Sequence, residues 1–284
     1  MPGRYLRKKQ RNLPLIAILS ALAAVGVFSV ILLSPGPETP EAPVLSAQPV
    51  TQAPETTQTE AETEAETTVP STEPSETVPQ PARLTELLDK SGISYEELEQ
   101  KNCTQLITVV SHDTSAQLRF YSSREGVWEE IPQLYCLGYV GRNGVTADKR
   151  EGDGRTPGGL FGIGSAFYIS DAPETKLDVF QITGDTYWVD DPESVFYNQK
   201  VEGIQNQDWN SAEHMISYDE YRYGFVVEYN PGCEKNLGSA IFFHVGKGYT
   251  AGCVAAGEDM LLGYLKELDK EKNPHILIVN GKTS

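Results

Sequence analysis

The pattern of apolar and polar positions divides this chain of 284 residues into four stretches. Residues 13–33 are an apolar run of 21 residues without a charge, broken only by Pro14, Ser20, Gly26 and Ser29. At about 1.5 Å of rise per residue, a helix of that length spans the roughly 30 Å hydrocarbon core of a bilayer. Residues 34–82 hold ten prolines and almost no large apolar side chain. Such a stretch buries too little surface to offset the entropy of ordering, which predicts a disordered linker. Leu84, Leu87, Leu88 and then Leu98 recur at helical spacing, and Ser94 with Glu97 forms a capping pair, so residues 83–103 read as a short helical lead-in. From residue 104 the period changes. Short runs of β-formers at 105–110, 116–121, 135–140, 224–229, 240–245 and 275–279 are separated by Gly, Pro and Asp. Only 258–268 keeps a helical stripe there, with Met260, Leu261, Tyr264, Leu265 and Leu268 on one face and Glu258 and Asp259 in the first turn. The pattern predicts a mainly β domain over 104–284, a β-sandwich or half-barrel with one or two short helices and no internal repeat.

Charge sharpens this division. Residues 1–12 carry five basic side chains and no acid, a basic tail, whereas 34–82 carry nine Glu and no base. That leaves 18 basic and 31 acidic residues for 83–284, a surface that repels phosphate backbones and argues against a nucleic-acid partner. Basic residues before the apolar run and acids after it place the first residues in the cytoplasm and the rest outside, as a single-pass signal anchor in the cell membrane. A cleaved signal peptide is the other reading. Its apolar core would be about 7 to 15 residues with a small-x-small site behind it, whereas this run ends in Leu32-Leu33-Ser34-Pro35. The acidic linker of 49 residues has an r.m.s. reach of about 40 Å, enough to hold a domain off the membrane.

Candidate chemistry concentrates in residues 239–265. The apolar run 240–245 ends near His244, and a short Gly-rich loop brings the chain to Cys253. A cysteine is a nucleophile only as thiolate, so it needs a base in reach and donors for the developing negative charge. His244 can supply the base. Backbone N–H groups at Gly252 and Cys253 can supply an oxyanion hole, with Gly252 allowing an unusual backbone conformation. The second imidazole nitrogen needs an acceptor, and a backbone carbonyl serves as well as a carboxylate. Cys103, Cys136 and Cys233 lie where disulfides are permitted; with Cys253 as nucleophile three remain, so at most one bridge forms. The four histidines show no metal-ligand spacing, so neither a metal nor another cofactor is expected. Nothing in the sequence fixes an oligomeric state.

The stretch from Phe243-His244 to Thr250-Ala251-Gly252-Cys253-Val254, with the helix that follows, resembles the catalytic domain of the L,D-transpeptidase (YkuD-type) family. That family's signature is a His, a spacer, and Ser/Thr-His-Gly-Cys. A second block, Gly141-Arg142-Asn143-Gly144-Val145 and then Gly154-Arg155-Thr156-Pro157-Gly158-Gly159-Leu160-Phe161, is similar to the family's Gly-rich segment. Tyr187-Trp188-Val189-Asp190-Asp191 and Ala212-Glu213-His214 are similar to a divergent branch. Ala251 stands where the family has its second His, and the spacer after His244 is shorter. The resemblance covers about residues 104–280. It implies that Cys253 attacks the carbonyl of an L,D-peptide bond in a peptidoglycan stem peptide, forms a thioester and releases a D-amino acid. An amine resolves the thioester in transpeptidation, and water resolves it in carboxypeptidation. His244 is then the general base and acid, Gly252 an oxyanion donor, and His214, Tyr249, Thr250, Arg155 and Trp188 candidate substrate-binding residues. The alternative is a catalytically weak extracytoplasmic module that binds cell-wall peptides.

Overall fold

The computed structural model describes residues 79–282. The apolar run 13–33 and nearly all of the acidic stretch lie outside the described residues. Among those described, no helix is long and apolar enough to cross a membrane.

Two helices come first, α1 (Ala82–Ser91) and α2 (Tyr95–Gln100). Ser94 caps α2 by accepting the Glu97 N–H at 3.1 Å, which satisfies one of the donors a helix start leaves free. The strands then follow as β1 (Gln105–His112), β2 (Ser115–Arg124), β3 (Val127–Glu130), β4 (Cys136–Tyr139), β5 (Val145–Thr146), β6 (Thr156–Pro157) and β7 (Gly159–Tyr168). After them come β8 (Val179–Gln181), β9 (Thr186–Val189), β10 (Lys200–Glu202), β11 (Ala212–His214), β12 (Tyr223–Val227), β13 (Phe242–Val245) and β14 (Val254–Ala256). Helix α3 (Glu258–Glu267) and β15 (His275–Asn280) complete the described chain.

The sheet closes on itself. Eight strands run β1-β15-β7-β12-β13-β14-β4-β2, and β2 pairs back onto β1 from Gln105↔Ser122 to His112↔Ser115. The fold is mainly β, but a closed barrel replaces the expected sandwich or half-barrel. The physical reason is the length of β2, whose ten residues pair with β1 along one side and with β4 and β3 along the other. A strand shared in this way removes both sheet edges. Ile107, Leu118, Phe120, Phe225 and Phe243 fill the interior, together with Leu261, Tyr264 and Leu265 from α3. Each such side chain contributes roughly 1.5 to 3 kcal/mol by leaving water. Tyr264 is anchored there by its hydroxyl, which donates to the Leu134 carbonyl at 2.6 Å.

Two layers cover the barrel wall outside. Leu84, Leu88 and Leu98 of α1 and α2 pack on Leu106, Tyr121, Trp128 and Leu277. Elsewhere the small sheet β10-β9-β11 and the 3-10 turns Met215–Ser217 and Asp219–Arg222 place Trp188, Met215 and Tyr221 over Phe167, Phe242 and Cys253. This second cover makes the site.

Candidate active site

Strands β13 and β14 run parallel, with Phe243 opposite Val254 and His244 opposite Ala255. Side chains alternate faces along a strand, so Phe243 and Val254 enter the barrel while His244 and Cys253 share the outer face. Two residues along one strand and one strand across put their Cα atoms about 8 Å apart, a gap that the two side chains can bridge. The backbone there leaves no room for error. Gly224 stands opposite His244, and a Cβ on it would meet the Phe167 ring at 2.3 Å and the Phe243 carbonyl oxygen at 2.7 Å.

Both residues line one cavity of about 530 Å³. Cys253 is 6% exposed and its thiol is free, as are those of Cys103, Cys136 and Cys233. Its Sγ donates to the Ala240 carbonyl at 3.3 Å and accepts the Phe242 N–H at 3.4 Å. His244 is 8% exposed, and its Nδ1 lies 2.8 Å from the Val245 carbonyl oxygen. A carbonyl only accepts, so Nδ1 carries the proton and Nε2 is left as an acceptor, without a partner among the described residues. The orienting group for the imidazole is therefore backbone. No Cys253–His244 hydrogen bond exists in this resting arrangement.

Burial drives both groups to neutrality. It pushes the Cys253 thiol up to about 12, helped by the negative charge of Glu213 and opposed by the Phe242 N–H and by Lys149. Burial also lowers His244, against the pull of the Val245 carbonyl and Glu220. The resting pair is thiol and imidazole, not thiolate and imidazolium.

Gly252 does not do what its sequence position suggests. Its backbone is outside the left-handed region, and its N–H already donates to Thr250 Oγ1 at 3.1 Å. Space is its contribution, since a Cβ would stand 3.1 Å from the Arg155 carbonyl oxygen and 3.4 Å from Ile241 Cδ1. The Cys253 N–H has no partner among the described residues. Thr250 fixes this turn from below, its hydroxyl donating to the Cys253 carbonyl at 2.6 Å, where Thr156 Oγ1 donates as well at 3.2 Å.

The other expected substrate contacts divide. Tyr249 and Thr250 line the cavity, with Tyr249 66% exposed at its mouth. Arg155 points outside, its N–H held by Asp153 Oδ1 at 2.8 Å. His214 is structural: Nε2 donates to the Gly184 carbonyl at 2.7 Å, Nδ1 pairs with Ser217 Oγ at 3.1 Å, and the ring stacks on Tyr187. Trp188 lies behind the site, edge-on to Phe242 at 4.9 Å, its indole N–H donating to Asn198 Oδ1 at 3.1 Å.

What sequence reasoning missed is a wall of carboxylates. Glu151, Asp190 and Glu213 line the same cavity as the thiol. Glu213 faces Trp188 across β11 and β9, so both project toward the barrel, whereas its neighbour His214 projects away. Tyr221 Oη donates to Glu213 Oε2 at 2.5 Å, and the same ring stands edge-on to His244 at 5.3 Å. Glu151 Oε2 accepts from Tyr197 at 2.6 Å and Ser239 at 2.8 Å. Burial, with Asp190 and Glu151 nearby, pushes Glu213 up to about 7. The signal was present as the period-2 alternation of Trp188 and Asp190, but β9 and β11, of four and three residues, are too short to be read from the pattern. Arg142 lines the cavity too, its N–H donating to the Thr250 carbonyl at 2.9 Å.

No family model matches the chain, and no curated protein does. Among solved structures, the helical cell shape determining protein Pgp2 from Campylobacter jejuni is similar at 14% identity and a TM-score of 0.32, over 63% of this chain and 49% of that one. The chain thus spans about half the length of that protein.

Proposed function

We propose that this protein is a membrane-anchored cysteine acyltransferase of the L,D-transpeptidase type, acting outside the cell on peptidoglycan stem peptides. The observation that carries the reading is the pairing of β13 with β14, which sets Cys253 and His244 on one face at one cavity while Val245 clamps Nδ1 and leaves Nε2 open. In this reading the substrate carbonyl displaces the thiol from its hydrogen bond to Ala240. Cys253 Sγ attacks as Nε2 takes its proton, the Cys253 N–H holds the oxyanion, and His244 returns the proton to the leaving amine. A thioester remains, to be resolved by an amine or by water. The basic tail, the apolar run 13–33 and the acidic linker support a tethered domain working off the membrane.

The test is adduct formation. Wild-type protein mixed with a tetrapeptide ending in a D-amino acid should gain the mass of the acyl group and release that amino acid, and Cys253→Ala should do neither. An unchanged adduct in Cys253→Ala sinks the assignment. One observation favours a second reading, a wall-peptide binding module: the thiol is buried, neutral and already hydrogen bonded. Saturable peptide binding by the wild type without any acyl adduct would select it.

A further inference from the structure

The proposed reaction leaves the resolving amine without a place. At neutral pH a primary amine is an ammonium, positively charged and not nucleophilic until it loses a proton. The cavity beside Cys253 carries charges of both signs. Arg142, Lys149 and Lys247 line it from the loops, Lys149 already paired with Asp153 at 2.8 Å, and the carboxylates Glu151, Asp190, Glu213 and Glu220 line it as well. Glu151 is engaged on both oxygens, by Tyr197 and Ser239 on one and by the Gly152 N–H on the other. Asp190 and Glu213 are not. Asp190 Oδ1 is buried beneath its neighbours and has no hydrogen-bond partner, so Asp190 acts on the cavity through its charge beside Glu213 and not through that oxygen. Glu213 has one oxygen held by Tyr221, and no partner holds the other among the described residues. A second, independent feature points into the same space: His244, 8% exposed, presents an unpartnered Nε2 there.

We infer that Glu213, backed by the charge of Asp190, forms the acceptor subsite, which binds a primary ammonium, and that Glu213 is the base that makes it nucleophilic. This assignment rests on the reading of Cys253 as the acylated residue. The steps balance. The ammonium gives one proton to the Glu213 carboxylate and becomes a neutral amine. The amine attacks the thioester carbonyl, so that a C–N bond forms and the C–S bond breaks. Its second proton passes to His244 Nε2 and on to the departing sulfur, restoring the thiol, and Glu213 returns its proton to water. Tyr221 positions both bases at once, by its hydroxyl on Glu213 and its ring edge on His244. A carboxylic acid pushed up to about 7 by burial and by Asp190 and Glu151 is matched to this task, because a base works best with a pKa near the working pH.

The experiment uses the full-length protein, a tetrapeptide ending in a D-amino acid as acyl donor, and two acceptors: Nα-acetyl-lysine amide, which is protonated at neutral pH, and hydroxylamine, which is not. The readout is the ratio of aminolysis to hydrolysis of the acyl-enzyme. Glu213→Gln and Asp190→Asn should each lower that ratio for the lysine derivative by about tenfold or more, within the usual worth of a general base. Hydroxylamine, needing no proton removed, should restore the ratio in Glu213→Gln. Glu193→Gln, an exposed partner of Lys235 on the surface, serves as control and should match the wild type. Ratios within twofold of wild type in both cavity variants overturn the assignment, as does a Glu213→Gln defect that is equal for both acceptors. Failure of the wild type to form an acyl-enzyme at all overturns the underlying reading instead, and the two failures are told apart by the adduct mass.

Discussion

At the scale of single residues, neutrality of the Cys253–His244 pair is the controlling fact. In the proposed reaction, a buried thiol pushed up to about 12 becomes nucleophilic only if Nε2 takes its proton during attack. His244→Ala should therefore slow acylation by about 10² to 10⁴, measured as the rate of adduct formation; a rate near that of the wild type would remove His244 from the mechanism. Glu213 gives a second expectation, in stability. Its carboxyl ionises near 4.5 in an ordinary setting and near 7 in the fold. A raised carboxyl favours the folded state while protonated, so its contribution is fully present below about pH 4.5 and lost as pH rises through 7. At about 1.4 kcal/mol per pH unit this is at most about 3 kcal/mol, an upper figure because Glu213 retains some exposed surface. Urea unfolding of wild type and Glu213→Gln should show the variant gaining on the wild type across that interval. A difference independent of pH would refute the buried ionisation. The placing of Cys253 and His244 at one cavity was legible because their spacing and loop are local. Glu213 was not, because its role depends on which face of a three-residue strand it takes, and a shift of one position moves attention to His214.

At the scale of elements, the runs at 105–110, 116–121, 240–245 and 275–279 each became a barrel strand, since alternation and β-branched side chains act locally. Strand β7 escaped the pattern because Gly159, Gly162 and Gly164 dilute its apolar period. The cover sheet β10-β9-β11 escaped because its strands are short and meet only in three dimensions. That cover is what seats Phe242, and through it the cysteine. Trp188→Ala removes a ring that stands edge-on to Phe242 and should cost about 3 to 5 kcal/mol, with slower acylation as Phe242 and Cys253 lose their backing. A loss below about 1 kcal/mol by denaturant unfolding would show the cover to be dispensable.

At the scale of the whole molecule, the boundary of the fold differs from the composition boundary at residue 83. Gln80 already belongs to the domain, its side chain donating to the Gly126 carbonyl at 2.8 Å and accepting the Trp128 N–H at 3.1 Å. Pro81 supplies the carbonyl that receives the Thr85 N–H at 3.0 Å. A chain begun at residue 83 should melt lower than one begun at 79, by roughly 1 to 3 kcal/mol for the lost contacts; equal melting curves would contradict that. Proline 79 and Pro81 hid this boundary, because composition alone groups them with the linker. The barrel's seam also has a mechanical meaning. Strands β1 and β15 lie side by side in the same direction, in register from Leu106↔His275 to Ser111↔Asn280. Tension applied through the two ends of the domain pulls these neighbours past one another lengthwise. Their bonds must then rupture together instead of unzipping one by one, so the domain should hold to high force when stretched between its termini.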